Sequence, residues 1–194
     1  MANLLLASAS PRRKELLTQI GISYESASMD INETVKQGEL PKNYVLRLAK
    51  EKAQAGIALY PDKVVLAADT TVVVDGVILG KPDSKEEAFN MLKHLSGTVH
   101  DVLTGVAIAR QVNGKLIVNA ECVMTKVTFS QLSDYQIEQY IKTKEPMGKA
   151  GAYGIQGKAA LFVEYIEGSY SNVVGLPLAE TGKLLEASGI SLWQ

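Results

Sequence analysis

The chain is poor in cysteine, histidine and net charge, and each scarcity removes a class of protein. One cysteine among 194 residues, Cys122, cannot close an internal disulfide or anchor a cysteine-rich zinc site. It sits in a strand-like stretch and reads as a small buried hydrophobe. The two histidines, His94 and His100, lack metal-ligand spacing, and His94 falls late in a helix where it simply favours the dipole. A formal net charge of −1 gives no general attraction to nucleic acid or a membrane surface, so any basic site must be local. No apolar run approaches the length of a membrane span. The opening apolar run is only a few residues long and lacks a cleavage pattern. No signal peptide is therefore expected, and a reducing, cytoplasmic setting suits the chain. Repeats, low-complexity tracts and a long linker are missing. So are a nucleophile-elbow serine and the Gly-Lys-Ser/Thr ending of a phosphate-binding loop.

What is present is a globular composition, 46% apolar and 21% charged. It is enough to bury a core as one domain over residues 1–194, with room for two lobes around a central cleft. Strands and helices alternate. A buried strand over 3–7 leads to a helix over 11–20 that ends before Gly21. A short strand over 22–27 precedes a polar loop carrying Asp30, Asn32 and Glu33. A long helix then runs from Pro41 to about Leu59. Residues 64–79 read as two β runs around Asp75-Gly76, a strong hairpin turn. Ser84 and Glu87 form a capping box for a helix ending near Ser96-Gly97. Long β segments over 98–111 and 115–130 meet at Asn113-Gly114, a second hairpin. Ser133 and Gln136 cap another helix, a glycine-rich turn covers 148–157, a strand lies near 160–166, and a helix runs from Pro177 to about Ser188. Two hairpins within an alternating pattern predict an α/β fold with a mixed sheet, not a purely parallel one.

Several residues stand out chemically. Ser10 is a good N-cap and Pro11 suits the first helical position. Backbone N–H groups, the helix dipole, Ser8, Ser10, Arg12 and Arg13 then converge as either an anion site or a solvated basic turn. In the helix over 41–59, Val45, Leu48, Ala49, Gly56 and Leu59 share one face, with Arg47, Lys50, Glu51 and Gln54 opposite. Lys52 falls in the middle of the apolar face, where it must snorkel out or meet a negative partner. Asp69 interrupts an apolar strand and requires a cation, a metal or several donors. Glu33 and Lys81 are unremarkable alone. Together, cations at 12, 13, 52 and 81 and acids at 33 and 69 suit a triphosphate with a hard divalent ion. The loop Lys149-Ala-Gly-Ala-Tyr-Gly-Ile-Gln-Gly157 is either plain or base-contacting, with Gln156 as a two-way hydrogen bonder. Trp193 could pack on the core or on a partner.

These residues resemble the Maf family of nucleotide pyrophosphatases, once described as septum-formation proteins. The likeness spans nearly the whole chain. It rests on Leu-Ala-Ser-Ala-Ser-Pro-Arg-Arg at 6–13, Glu33, Leu-Ala-Lys-Glu-Lys-Ala at 48–53, Ala-Ala-Asp-Thr at 67–70 and Gly-Lys-Pro at 80–82. Ser-Gly at 96–97, the loop at 149–157 and Val-Gly-Leu-Pro-Leu at 174–178 complete it. The resemblance implies an elongated mixed β-sheet flanked by helices, similar to inosine triphosphate pyrophosphatases. It implies hydrolysis of a nucleoside triphosphate to monophosphate and pyrophosphate with a divalent cation (Mg, Mn or Co). Asp69 then corresponds to the proton acceptor and a metal ligand, Glu33 to a metal or water ligand, and Ser8, Arg13, Lys52 and Lys81 to substrate-binding residues. Arg12, Thr70 and Gln156 match the branch acting on dTTP and UTP. The branch acting on 7-methyl-GTP instead has a tryptophan after the proline. Housecleaning of the nucleotide pool, modified pyrimidine triphosphates, a link to division arrest and a homodimer are further implications. The alternative is a non-catalytic septum-formation regulator or a nucleic-acid-binding protein, which near-zero net charge and the lack of a basic stripe disfavour.

Overall fold

The structure, a computed structural model, describes residues 3–193. In chain order the elements are β1 (Leu4–Ala7), α1 (Pro11–Gln19), β2 (Glu25–Ala27), α2 (Pro41–Leu59), β3 (Val64–Val74) and β4 (Val77–Leu79). There follow α3 (Lys85–Leu95), β5 (Val99–Val112), β6 (Lys115–Phe129), α4 (Asp134–Lys142), β7 (Val163–Glu167), α5 (Tyr170–Val174) and α6 (Leu178–Ala187). The strands form one seven-stranded mixed sheet in the order β2-β1-β3-β5-β6-β7, with β4 also on β3. β1 pairs in parallel with β2 and β3, whereas β3–β4 and β6–β7 are antiparallel. Both hairpin turns take the expected form: Asp75-Gly76 and Asn113-Gly114 all have positive φ, the backbone that matches the twist of the strands they join.

The chain divides into two compact units. The first comprises Met1–Asp69, Thr104–Val123 and Gly175–Gln194. Its core around α2 is rich in alanine, with Ala49 and Ala53 on the helix and Ala7, Ala67, Ala107 and Ala109 on the strands, beside Leu5, Ile57 and Val65. Gly105 on β5 explains the packing. A Cβ there would lie 2.3 Å from the Val45 carbonyl oxygen, so the main chain of the strand touches the main chain of the helix. Gly56 makes a second close approach, to a Val65 methyl. This fixes where α2 lies, and with it every side chain the helix carries.

The second unit comprises Thr70–Leu103 and Met124–Val174. Its core gathers Leu92, Leu95, Phe129, Ile137, Tyr140, Tyr153 and Phe162. His100 is 2% exposed among these rings and forms a 2.8 Å hydrogen bond between Nε2 and the Tyr153 hydroxyl. Burial pushes the His100 pKa down from 6.5 to about 4. As pH falls, the unfolded chain therefore takes up a proton that the folded one refuses. Stability from this residue is complete above pH 6.5 and is lost as pH falls toward 4. The expected loss is about 3 kcal/mol. Urea unfolding of the parent and His100→Phe between pH 7 and 4 checks this, because the variant should lack that part of the acid destabilisation.

Several local expectations are corrected. Ser10 occupies the N-cap position of α1 without a side-chain capping bond; its N–H donates instead to Ser8 Oγ at 3.2 Å. Ser133–Gln136 forms a complete capping box. At α3 Ser84 accepts from Glu87 N–H, but the Glu87 carboxylate reaches Asp83 N–H, one residue too early to close the box. Leu59 is 68% exposed because α2 ends there and Tyr60 packs against the core in its place. The strand expected near 160–166 begins at Val163, where β-branching starts, and Lys158–Phe162 form a 3₁₀ turn. The strand expected over 22–27 is confined to Glu25–Ala27. Cys122 is half-buried, and Trp193 is 88% exposed, away from the core. The short helix α5 and a 3₁₀ turn over Ala150–Ala152 were not foreseen.

Candidate active site

The first unit draws the charged residues of four separated segments together. Lys52 lies on the inner face of α2 at 8% exposure, and its Nζ is 2.6 Å from Asp69 Oδ1 and 2.6 Å from Glu33 Oε1. Of the two fates open to an inward lysine, it meets negative partners. Asp69 is equally buried, in the run of β3 that packs Ala67 and Ala68 beside it. Its position is tolerable because the ammonium is there. Glu33 reaches the same nitrogen from the irregular segment before α2.

Arg13 joins this cluster from α1. Its Nε donates to the Gly175 carbonyl at 2.8 Å and its Nη1 to Ser8 Oγ at 3.1 Å. Burial lowers the guanidinium pKa from its ordinary value; attraction to Asp69 opposes this, repulsion from Arg12 adds to it, and Glu33 again opposes it. Arg12, Glu33 and Asp69 thus all act on Arg13 through their fields. Ser8, expected to bind substrate, is buried, and its oxygen accepts from both Ser10 N–H and Arg13. Among Arg12, Arg13, Lys52, Glu33 and Asp69 the cations outnumber the carboxylates by one, an electrostatic setting that suits a polyanion.

Thr70, Lys81 and Gln156 belong to the second unit. Thr70 follows Asp69 on β3 and is half-buried; Lys81 and Gln156 are exposed in loops. That unit brings their segments toward each other. Gly151 N–H donates to the Gly80 carbonyl at 3.0 Å, joining the Gly-Lys-Pro loop to the glycine-rich turn. Gly151 has φ +66° and would place a Cβ 2.8 Å from a Val72 methyl carbon, so only glycine lets the turn lie so close to β3.

Glu33 and Asp69 each place one carboxylate oxygen 2.6 Å from Lys52 Nζ, so the ammonium occupies the point they share, and a hard divalent ion held by one or two carboxylates would take their remaining oxygens. Among the described residues no group of three or more His, Cys, Asp or Glu forms a metal cage.

The model of one family, described as Maf-like protein, matches residues 3–188. The chain belongs to the Maf-like family. A relative from Anaeromyxobacter dehalogenans, named dTTP/UTP pyrophosphatase, is 50% identical over 98% of this chain and 97% of its own length. Another of that name, from Shewanella oneidensis, is 52% identical over 97% of this chain and 99% of its own. The Staphylococcus aureus Ham1 protein shares the fold, with a TM-score of 0.51 at 14% identity, covering 95% of this chain and 98% of that one. Within this Maf-like chain, the residues that sequence reasoning missed are those holding the others in place. They are Gly175, whose carbonyl fixes Arg13, and Glu39, Tyr44 and Arg47, which tie down the segment bearing Glu33. The Val-Gly-Leu-Pro-Leu motif was the available signal for Gly175. Among the described residues no helix is long and apolar enough to cross a membrane.

Proposed function

We propose that this chain is a nucleoside triphosphate pyrophosphatase acting on dTTP and UTP, releasing the monophosphate and pyrophosphate. The observation that carries the reading is the buried Lys52–Asp69 pair, with Glu33 reaching the same ammonium from a part-exposed segment and Arg13 in the same electrostatic neighbourhood. Curated relatives at about half identity, named for this activity, support it.

One water is consumed and the phosphoanhydride link between the α and β phosphorus atoms is cleaved. Asp69 accepts the proton of the attacking water, and its carboxylate is held ready by Lys52 Nζ. Arg13 and Lys52, with Lys81 as the family resemblance implies, offset the charge of the phosphate oxygens. Ser8 Oγ accepts from Arg13 Nη1 and so helps orient the guanidinium. Arg12, Thr70 and Gln156 select the pyrimidine. Glu33 and Asp69 would hold a divalent cation, Mg, Mn or Co, which supplies further charge neutralisation at the phosphates when bound. A cytoplasmic location, a homodimer, action on modified pyrimidine triphosphates and an effect on cell division are secondary parts of the same proposal.

A panel of natural and modified triphosphates, each with magnesium, manganese or cobalt, tests the reading by pyrophosphate release. dTTP and UTP are expected to exceed the purine triphosphates and 7-methyl-GTP. Orthophosphate alone, or no turnover, sinks it.

A further inference from the structure

Residues 28–40 between β2 and α2 lie in no helix or strand, yet Glu33 must be delivered from this segment to within 2.6 Å of Lys52 Nζ. A long irregular segment has much conformational entropy to lose, so something must hold it. One turn of α2 does. The Tyr44 hydroxyl donates to the Glu33 carbonyl at 3.0 Å. Arg47 grips the far end of the segment, with Nε 2.6 Å from Glu39 Oε1 and Nη2 2.7 Å from Glu39 Oε2. The same Nη2 donates to the Thr34 carbonyl at 3.1 Å, and the guanidinium lies over the Tyr44 ring at 5.6 Å. Two parallel charge-assisted bonds fix direction as well as distance, which a lysine at 47 could not do.

We propose that Tyr44 and Arg47 are positioning residues that strap residues 33–39 onto α2 and so set where the Glu33 carboxylate sits. The inference rests on the proposed pyrophosphatase reading for its kinetic consequence, but not for the strap itself. Charge states favour the arrangement across the working pH range. Arg47 holds the Glu39 carboxyl down at about 2, chiefly by their hydrogen bonds. The Tyr44 hydroxyl is a donor at neutral pH, as any protonated phenol is. Tyr44 touches the backbone of Glu33, not its carboxylate; its influence on chemistry therefore passes through Glu33.

The test is a double-mutant cycle on dTTP turnover with Tyr44→Phe, Glu33→Gln and the pair. Tyr44→Phe removes one oxygen and keeps the ring. It should lower kcat/KM about tenfold in the parent, as loss of one hydrogen bond does. In the Glu33→Gln background it should lower kcat/KM less than twofold. An equal loss in both backgrounds, or none in the parent, overturns the proposal. If the unaltered chain turns over no triphosphate, the pyrophosphatase reading has failed and hydrogen exchange decides the strap alone. Arg47→Met should then speed amide exchange over 33–39 at least tenfold while leaving the buried amides of α2 unchanged. Unaltered exchange in that segment overturns it.

Discussion

Asp69→Asn is expected to lower dTTP turnover by about a hundredfold to ten-thousandfold, the span over which a positioned general base contributes. The change removes a charge and keeps the size of the side chain. Asparagine can still accept a hydrogen bond from Lys52, and Lys52 retains Glu33 at 2.6 Å. The fold should therefore persist, with a urea midpoint close to that of the parent. Turnover at saturating dTTP, measured beside that midpoint, separates lost chemistry from lost structure. A fully active Asp69→Asn protein would remove the carboxylate from the role of proton acceptor.

Lys52→Met is expected to lower stability as well as activity. Methionine fills the path of the lysine stem but leaves Asp69, 8% exposed, without the ammonium that makes its burial tolerable. Removing one partner of a buried pair destabilises by about 3 kcal/mol. Glu33 has 40% of its side chain exposed and can turn toward water, so most of the penalty falls on Asp69. Removing both partners should be milder than removing one. Lys52→Met/Asp69→Asn is thus expected to unfold at higher urea than Lys52→Met alone, though neither hydrolyses dTTP. If the double variant is no more stable than the single, the two charges are not coupled as described.

Much of this molecule was written in local signals. Asn113-Gly114 and Asp75-Gly76 announced their hairpins because only residues that accept positive φ close such turns. Ser133 and Gln136 announced a helix start because each satisfies the other's backbone N–H. Lys52 and Asp69 were legible for a different reason: a charge in an apolar pattern demands a partner, and each proved to be part of the other's answer. The strap was illegible by the same logic. Arg47 and Glu51 fall on the helix face opposite the core, where charges need no explanation, and Glu39 precedes the helix in a polar loop. Nothing in spacing alone says that such charges fold a loop down onto the helix. Ser8 and Ser10 show a similar limit, since both serines could serve the turn and only the backbone path decides which one does. The 3₁₀ turn at 158–162 was hidden because alanines and a phenylalanine fit either a strand or a tight turn.

Where strand β5 meets helix α2 at Gly105, nothing but two peptide backbones sets the gap. Side chains can be exchanged, lengthened or trimmed; the thickness of a main chain cannot. The helix therefore rests on a mechanical stop, and the ammonium mounted seven residues beyond Val45 inherits its accuracy from that stop. A Val65 methyl against Gly56 forms a second stop, and that one a side-chain change can move.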